Sequence, residues 1–106
     1  MPTIFSYYEE VDRIIRAACK VGVFSYAEFV SRKKSLKMNV VRGVACVISR
    51  YRCIHPSITA KLIGRTRGNV INVARKYHHY LQARDKITLQ FYNNITKMID
   101  DNEQRD

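Results

Sequence analysis

The chain has 106 residues, a length that fits a single domain with one modest core. Its composition, 46% hydrophobic and 26% charged, is typical of a soluble globular protein, and no apolar run is long enough to cross a membrane. The formal net charge of +10 is high for so small a domain and indicates a polyanionic partner.

Helical periodicity predicts two helices at the start of the chain. The first is capped by Thr3 or Ser6 and ends near Gly22. Ser25 and Glu28 have the spacing of a capping box, which predicts a short second helix. The apolar residues of the first helix recur at i, i+3 and i+4 and form one side, which consists of Phe5, Tyr8, Val11, Ile14, Ile15 and Ala18.

A basic connection and a third helix follow. Residues 32–37 carry four basic side chains and show no apolar period, so they predict a loop. The third helix is predicted to end near Arg52. Its core-facing side is predicted to consist of Val41, Val44, Ala45, Ile48 and Tyr51.

Residues 56–81 predict a short helix, a tight turn and a longer helix. Pro56 suits a first helical position, and Gly64 can adopt the left-handed conformation that ends a helix. Thr66 is the predicted N-cap of the longer helix. That helix has an apolar side, formed by Val70, Val73, Ala74, Tyr77 and Leu81, and an opposite polar side with Gly68, Asn72, Arg75 and His79. This polarity is typical of the recognition helix of a helix-turn-helix.

A last helix is predicted to begin near Asp85. It is expected to pack through Ile87, Phe91, Ile95, Met98 and Ile99. Residues 100–106 are charged and predict an acidic, flexible tail, which leaves residues 1–99 as the domain. No segment alternates with period two for long enough to predict a strand. The predicted fold is therefore all-α, a compact bundle of about six helices that contains a helix-turn-helix.

The basic residues are concentrated in the central half of the chain. Between positions 29 and 84 there are 13 Lys and Arg residues and no Asp or Glu. A field of one sign over 56 consecutive residues favours a nucleic acid or another polyanion as the partner.

Two stretches carry a resemblance to a known family. EFVSRKKSLKMNVVRGVA is similar to a basic loop and the helix after it, and GRTRGNV followed by VARK is similar to the signature G-R-D-H-T-T-V-x-x-A-x-R-K. This basic loop with its helix, and this signature, are features of the C-terminal DNA-binding domain of the bacterial replication initiator DnaA, a helix-turn-helix of the Trp-repressor-like type, which the chain therefore resembles. The matching signature residues are Gly64, Arg65, Val70, Ala74, Arg75 and Lys76.

The resemblance implies binding to double-stranded DNA, and its departures concern the target. The family's Asp-His-Thr-Thr is here Thr66-Arg67-Gly68-Asn69, and its Pro-Arg-Gln is Val41-Arg42-Gly43. These departures fall where the family contacts bases, so we expect a target other than the replication-origin box.

Side-chain chemistry and the resemblance together predict two sets of DNA-contacting residues. Arginine pairs with guanine edges and asparagine with adenine edges, whereas basic loops contact phosphate or enter the minor groove. The predicted base-reading set is Arg65, Thr66, Arg67, Gly68, Asn69 and Asn72. The predicted phosphate or minor-groove set is Arg32, Lys33, Lys34, Lys37, Arg42, Arg75 and Lys76.

The sequence lacks the motifs that indicate nucleotide binding, zinc binding or catalysis. The family's domain normally follows an ATPase, but this sequence begins at Met1 and has no G-x-x-x-x-G-K-[ST] loop, so we expect no nucleotide binding. Cys53, His55, His78 and His79 lack zinc-site spacing, and no nucleophile is paired with a base. We therefore predict no enzyme activity, no catalytic residue, no metal and no cofactor. The odd number of cysteines and the absence of a predicted signal peptide indicate reduced thiols in a cytoplasmic protein: Cys19, Cys46 and Cys53.

One alternative function stays open. The fold could serve as an interaction module whose basic face binds an acidic protein or an anionic lipid. The first helix would then be the docking surface, through Phe5, Tyr8, Val11 and Ile15.

Overall fold

A computed structural model of the chain describes residues 4–104, and within them it contains six α-helices and no strand. The predicted all-α fold is confirmed. None of the helices in this described part is long and apolar enough to span a membrane. The helices are α1 (Ile4–Gly22), α2 (Tyr26–Val30), α3 (Leu36–Tyr51), α4 (Pro56–Ile63), α5 (Arg67–Gln82) and α6 (Lys86–Gln104).

Local capping sets most of the helix ends. Ser25 and Glu28 form the predicted capping box, in which each side chain bonds the other residue's backbone N–H at 3.1 Å. Gly64 ends α4 in the left-handed conformation, with φ of 76°. The Thr66 hydroxyl accepts a hydrogen bond from the Asn69 backbone N–H at 3.1 Å and so caps α5.

α3 runs through the centre of the bundle and packs against α1, α4, α5 and α6. It is buried on every side between Met38 and Ser49, except at Asn39. Gly43 leaves room for the Tyr77 ring of α5, because a Cβ there would lie 2.2 Å from ring atoms of Tyr77. The largest fully buried side chains come from four helices, α1, α2, α4 and α6: Phe29, Ile14, Ile15, Ile63, Ile95 and Ile99.

Three residues that were predicted to face the core lie at the surface. Phe5 is 75% exposed because it precedes the first buried residue of α1, and Tyr51 is 42% exposed because α3 ends there. The Tyr51 hydroxyl instead lies 2.6 Å from Nδ1 of His78. Ile87 is 49% exposed, and the next residue, Thr88, takes the buried position in the first turn of α6.

The chain ends differ from the predicted boundaries as well. Ser6 lies inside α1 and does not cap it, whereas Thr3 lies outside the described residues. α6 continues beyond Ile99 to Gln104, so residues 100–104 of the predicted tail are helical. Residues 105 and 106 lie outside the described part of the chain.

Candidate nucleic-acid interface

α4, the turn after it and α5 form the predicted helix-turn-helix. Gly64 and Arg65 both donate their backbone N–H to the Ala60 carbonyl, at 2.9 and 3.0 Å, which closes the turn before α5 begins. Val70, Ala74 and Tyr77 are buried on the inner side of α5 as predicted, and Val73 and Leu81 are half-buried. Because the inner side of α5 packs into the core, the opposite side of the helix faces solvent.

The outward side of α5 carries most of the predicted base-reading residues. Arg67, Gly68, Asn69 and Asn72 are all exposed, as are Arg75, Lys76 and His79 on the following turns. A Cβ added at Gly68 would meet nothing within 4 Å, so no internal packing requires a glycine there. An external partner therefore has open access to the backbone of the first turn.

A groove separates this helix from the connection between α2 and α3, which comprises residues 31–35 and is here called the α2–α3 loop. The cavity has a volume of about 510 Å³. Lys34 and Asn39 line it on the side of the loop and α3, and Asn69 and Lys76 line it on the side of α5. This cavity, the loop–α5 groove, thus brings together two residues of the predicted base-reading set and three of the predicted phosphate set: Arg65 and Asn69, and Lys34, Arg42 and Lys76.

The groove carries a mixture of charge and apolar surface. The Lys76 Nζ lies 5.9 and 5.8 Å from the ring centroids of Tyr77 and Tyr80, within range of a cation–π interaction. Asp85 is the one acidic residue of the lining. Its carboxylate accepts hydrogen bonds from the hydroxyl and the backbone N–H of Thr88, which lower the pKa of Asp85.

Arg42 has a different environment from the one predicted for a phosphate contact. It is only 8% exposed, and its guanidinium donates to the backbone carbonyls of Phe29 at 2.7 Å, Lys33 at 2.8 Å, Ser31 at 2.9 Å and Glu28 at 3.2 Å. Burial and the nearby Arg65 lower the pKa of Arg42. Because the side chain is enclosed and its donors are engaged, we remove Arg42 from the set of phosphate contacts.

Arg65 also turns away from the predicted base-reading position. Its guanidinium donates to the carbonyl of Ser31 at 2.7 Å, to that of Gly64 at 3.2 Å and to that of Val30 at 3.3 Å. The side chain is half-buried against the α2–α3 loop. It therefore bridges the helix-turn-helix to the loop and is not directed outward with Arg67.

The other predicted phosphate contacts are exposed but do not all line the groove. Arg32 and Lys33 lie on the α2–α3 loop beside Lys34, and Lys37 places its Nζ 5.0 Å from the Phe24 ring centroid. Arg75 lies on another side of α5, where with Arg50 it lines a smaller cavity of about 240 Å³. The structure thus spreads the predicted phosphate contacts over a surface wider than the groove itself.

The sequence-based prediction missed several residues of the groove. Asn39 is exposed in the first turn of α3, and Leu36, Tyr80 and Ile87 are 75%, 40% and 49% exposed along the same lining. Ser35, which caps α3, was the available signal for Asn39, because it places residues 36–39 in the first turn of α3 beside the loop. The apolar residues gave no such signal, since apolar side chains are assigned to a core by default.

The docking surface considered for the alternative function is not available on α1. Val11 and Ile15 are both fully buried, and Tyr8 is half-buried. Phe5 is the one member of that predicted set that is exposed. An acidic partner would therefore have to bind another surface.

No protein-family model matches this chain, and no curated protein matches it.

Proposed function

We propose that this chain binds double-stranded DNA. In this proposal the first turn of α5 enters the major groove, and the α2–α3 loop binds the adjacent backbone or minor groove. The observation that carries the proposal is the loop–α5 groove, which has Lys34 on one wall and Lys76 and Asn69 on the other. A phosphodiester strand between the major and minor grooves fits such a cleft, because each wall offers it a cation and the two walls face different grooves.

The charge distribution supports a polyanion over a neutral partner. Acidic side chains of the outer helices approach Arg52, with Glu10 at 3.2 Å and Asp100 at 3.7 Å, on a part of the chain that does not line the groove. Arg32, Lys33 and Lys34 remain exposed on the loop. These exposed loop cations are therefore available to an external anion.

The proposed base contacts are fewer than the sequence predicted. With Arg65 engaged by the loop, the remaining candidates are Arg67, Gly68, Asn69 and Asn72. Arg67 is suited to guanine O6 and N7, and the asparagines are suited to adenine N6 and N7. Thr66 holds its hydroxyl oxygen at the N-cap, so we assign it to the positioning of α5.

The resemblance to the initiator's DNA-binding domain is part of the same proposal. The helix-turn-helix retains the Gly64 turn and the basic residues after the first turn of α5, whereas the first turn itself differs. We therefore propose a DNA target other than the replication-origin box. The three free cysteines, one of them exposed, are consistent with a reducing cytoplasmic compartment.

Selection from a random duplex pool tests this function directly. We expect an enriched site that contains a guanine, and we expect Arg67→Ala to cost about 2 kcal/mol on that site and to relax discrimination at one base pair. Lys34→Ala should weaken binding to selected and random duplexes alike, because phosphate contacts are independent of sequence. The measurement is a band shift with each variant on both kinds of duplex.

An equal loss on selected and random duplexes would show that Arg67 contacts phosphate, and the base-reading residues would then be sought at Asn69 and Asn72. If no duplex is enriched and none is bound at low salt, the proposed function is wrong.

A second prediction concerns the acidic residue of the groove. Asp85→Asn is expected to strengthen duplex binding about twofold, because a surface charge that repels phosphate is removed. Asparagine also serves as an N-cap, so the start of α6 should be retained. Asp101→Asn, an exposed substitution near the other end of α6, is the matched control for net charge. Equal effects of the two variants in fluorescence anisotropy would contradict a phosphate path beside Asp85.

An acidic, amphipathic protein segment is a second candidate for the same groove. The observation that favours it is the apolar lining, in which Leu36, Tyr80 and Ile87 are exposed beside Lys34 and Lys76. A phosphate strand makes little use of apolar side chains, whereas an amphipathic helix would bury them. The absence of binding to any duplex at low salt would favour this candidate over DNA.

A further inference from the structure

We infer that Arg42 and Arg65 are positioning residues, which together fix the α2–α3 loop against the helix-turn-helix and so hold the two walls of the groove at one separation. The geometric part of this inference concerns the protein alone. The part that concerns DNA affinity rests on the proposed function.

The first observation is that the two guanidiniums approach the loop from different elements. Arg42 extends from α3 and donates to carbonyls of Glu28, Phe29, Ser31 and Lys33. Arg65 extends from the turn before α5 and donates to the carbonyls of Val30 and Ser31. The Ser31 carbonyl accepts from both, so this one peptide group joins the loop to α3 and to the helix-turn-helix.

The second observation is that these bonds replace a regular backbone pattern. Residues 31–35 belong to no helix, and the two guanidiniums supply hydrogen-bond donors to the Ser31 and Lys33 carbonyls in place of helical partners. Within the loop itself, the Lys33 backbone N–H donates to the Ser31 hydroxyl at 3.2 Å. Arginine is suited to donate to several carbonyls at once, because its planar guanidinium presents five donors in a rigid fork, whereas lysine offers one compact ammonium.

The third observation is that the loop carries three consecutive cations, whose mutual repulsion the arginine bonds oppose. Arg32, Lys33 and Lys34 are consecutive and exposed, and like charges favour an extended, mobile segment. Lys34 lines the groove opposite Lys76 and Asn69. Fixing the loop therefore fixes the position of Lys34 relative to α5 before a partner arrives, which lowers the ordering cost of binding.

The test measures loop geometry without DNA. Spin labels are attached at Lys33→Cys and Asn72→Cys in a Cys53→Ser background, because Cys53 is exposed whereas Cys19 and Cys46 are buried. We expect a narrow distance distribution in this parent and a distribution about twofold broader with Arg65→Met. Arg65→Lys keeps the charge but not the fork, so it should broaden the distribution as well, and it replaces Arg65→Met if that variant does not fold.

Arg32→Met is the matched control, since it removes the same charge from an exposed position on the same loop. It should leave the distance distribution narrow. A distribution as narrow with Arg65→Met and Arg65→Lys as in the parent would overturn the inference.

A second arm measures duplex binding as salt is varied. Arg65→Met should weaken duplex binding about fivefold through the lost preorganisation and leave the salt dependence unchanged. Lys34→Ala should instead reduce the salt slope by about 1. A drop of about 1 in the slope with Arg65→Met would make Arg65 a phosphate contact and would also overturn the inference. If the unlabelled chain, in which Lys33 and Asn72 are intact, binds no duplex, the DNA function fails, and the distance distributions alone decide the positioning role.

Discussion

Raising the salt concentration from 50 to 200 mM is expected to weaken duplex binding about 250-fold. The expectation follows from counterion release, in which each phosphate contact contributes roughly 0.9 to the slope of log K against log salt. Removing Arg42 from the predicted set leaves six exposed cations, which are Arg32, Lys33, Lys34, Lys37, Arg75 and Lys76. With between four and five of them in contact, the slope should be near −4.

Fluorescence anisotropy with a labelled random duplex at four salt concentrations measures this slope. The double variant Lys33→Gln, Lys34→Gln should reduce the slope by about 2 if both residues contact phosphate. A parent slope shallower than about −2 would contradict phosphate-dominated binding by the exposed basic surface.

Gly43→Ala is expected to lower the free energy of unfolding by about 3 kcal/mol, at the upper end of overpacking effects. The added Cβ would lie 2.2 Å from Cδ2 and Cε2 of Tyr77 and 2.6 Å from its Cγ. Tyr77 is only 6% exposed, so its ring has little room to move away. The α3–α5 contact would have to open, and α5 is the helix that carries the proposed base contacts. Urea denaturation followed by circular dichroism measures the change.

Gly68→Ala is the matched control for this substitution. A Cβ at Gly68 meets nothing within 4 Å, so alanine should stabilise α5 by about 0.5 kcal/mol through its higher helix propensity. Tyr77→Leu should relieve part of the Gly43→Ala defect in a double-mutant cycle, since it removes the ring that clashes. Additive losses in that cycle would locate the cause away from the Gly43–Tyr77 contact.

The helices and their ends could be predicted because the responsible signals are local. Ser25 with Glu28, Gly64 and Thr66 each act on backbone groups within a few residues, and all three end or begin helices as predicted. The apolar period of α5 likewise placed Tyr77 in the core. Such features depend on helix geometry alone, which the sequence pattern records directly.

The arginine bridges could not be predicted because their partners are distant backbone carbonyls. Arg42 bonds a carbonyl 13 residues away and Arg65 one 34 residues away, and carbonyls carry no sequence signal. An arginine in a basic stretch is therefore assigned to the surface unless the tertiary structure is known. Gly43 was missed for the same reason, because its role depends on which residue of α5 lies opposite.

The proposed base contacts on the outward face of α5 are separate from the residues that stabilise the fold. Arg67, Gly68, Asn69 and Asn72 are exposed, and the core behind them is built from Val70, Ala74 and Tyr77 on the other side of the helix. If the proposed DNA binding holds, substitutions at these four positions should change the preferred base sequence at little cost in stability, provided that Gly and Pro are avoided. A library of variants at these four positions would test alternative DNA sequences as targets while the rest of the protein stays unchanged. Divergence of related chains could proceed by the same route, with recognition drifting while the bundle persists.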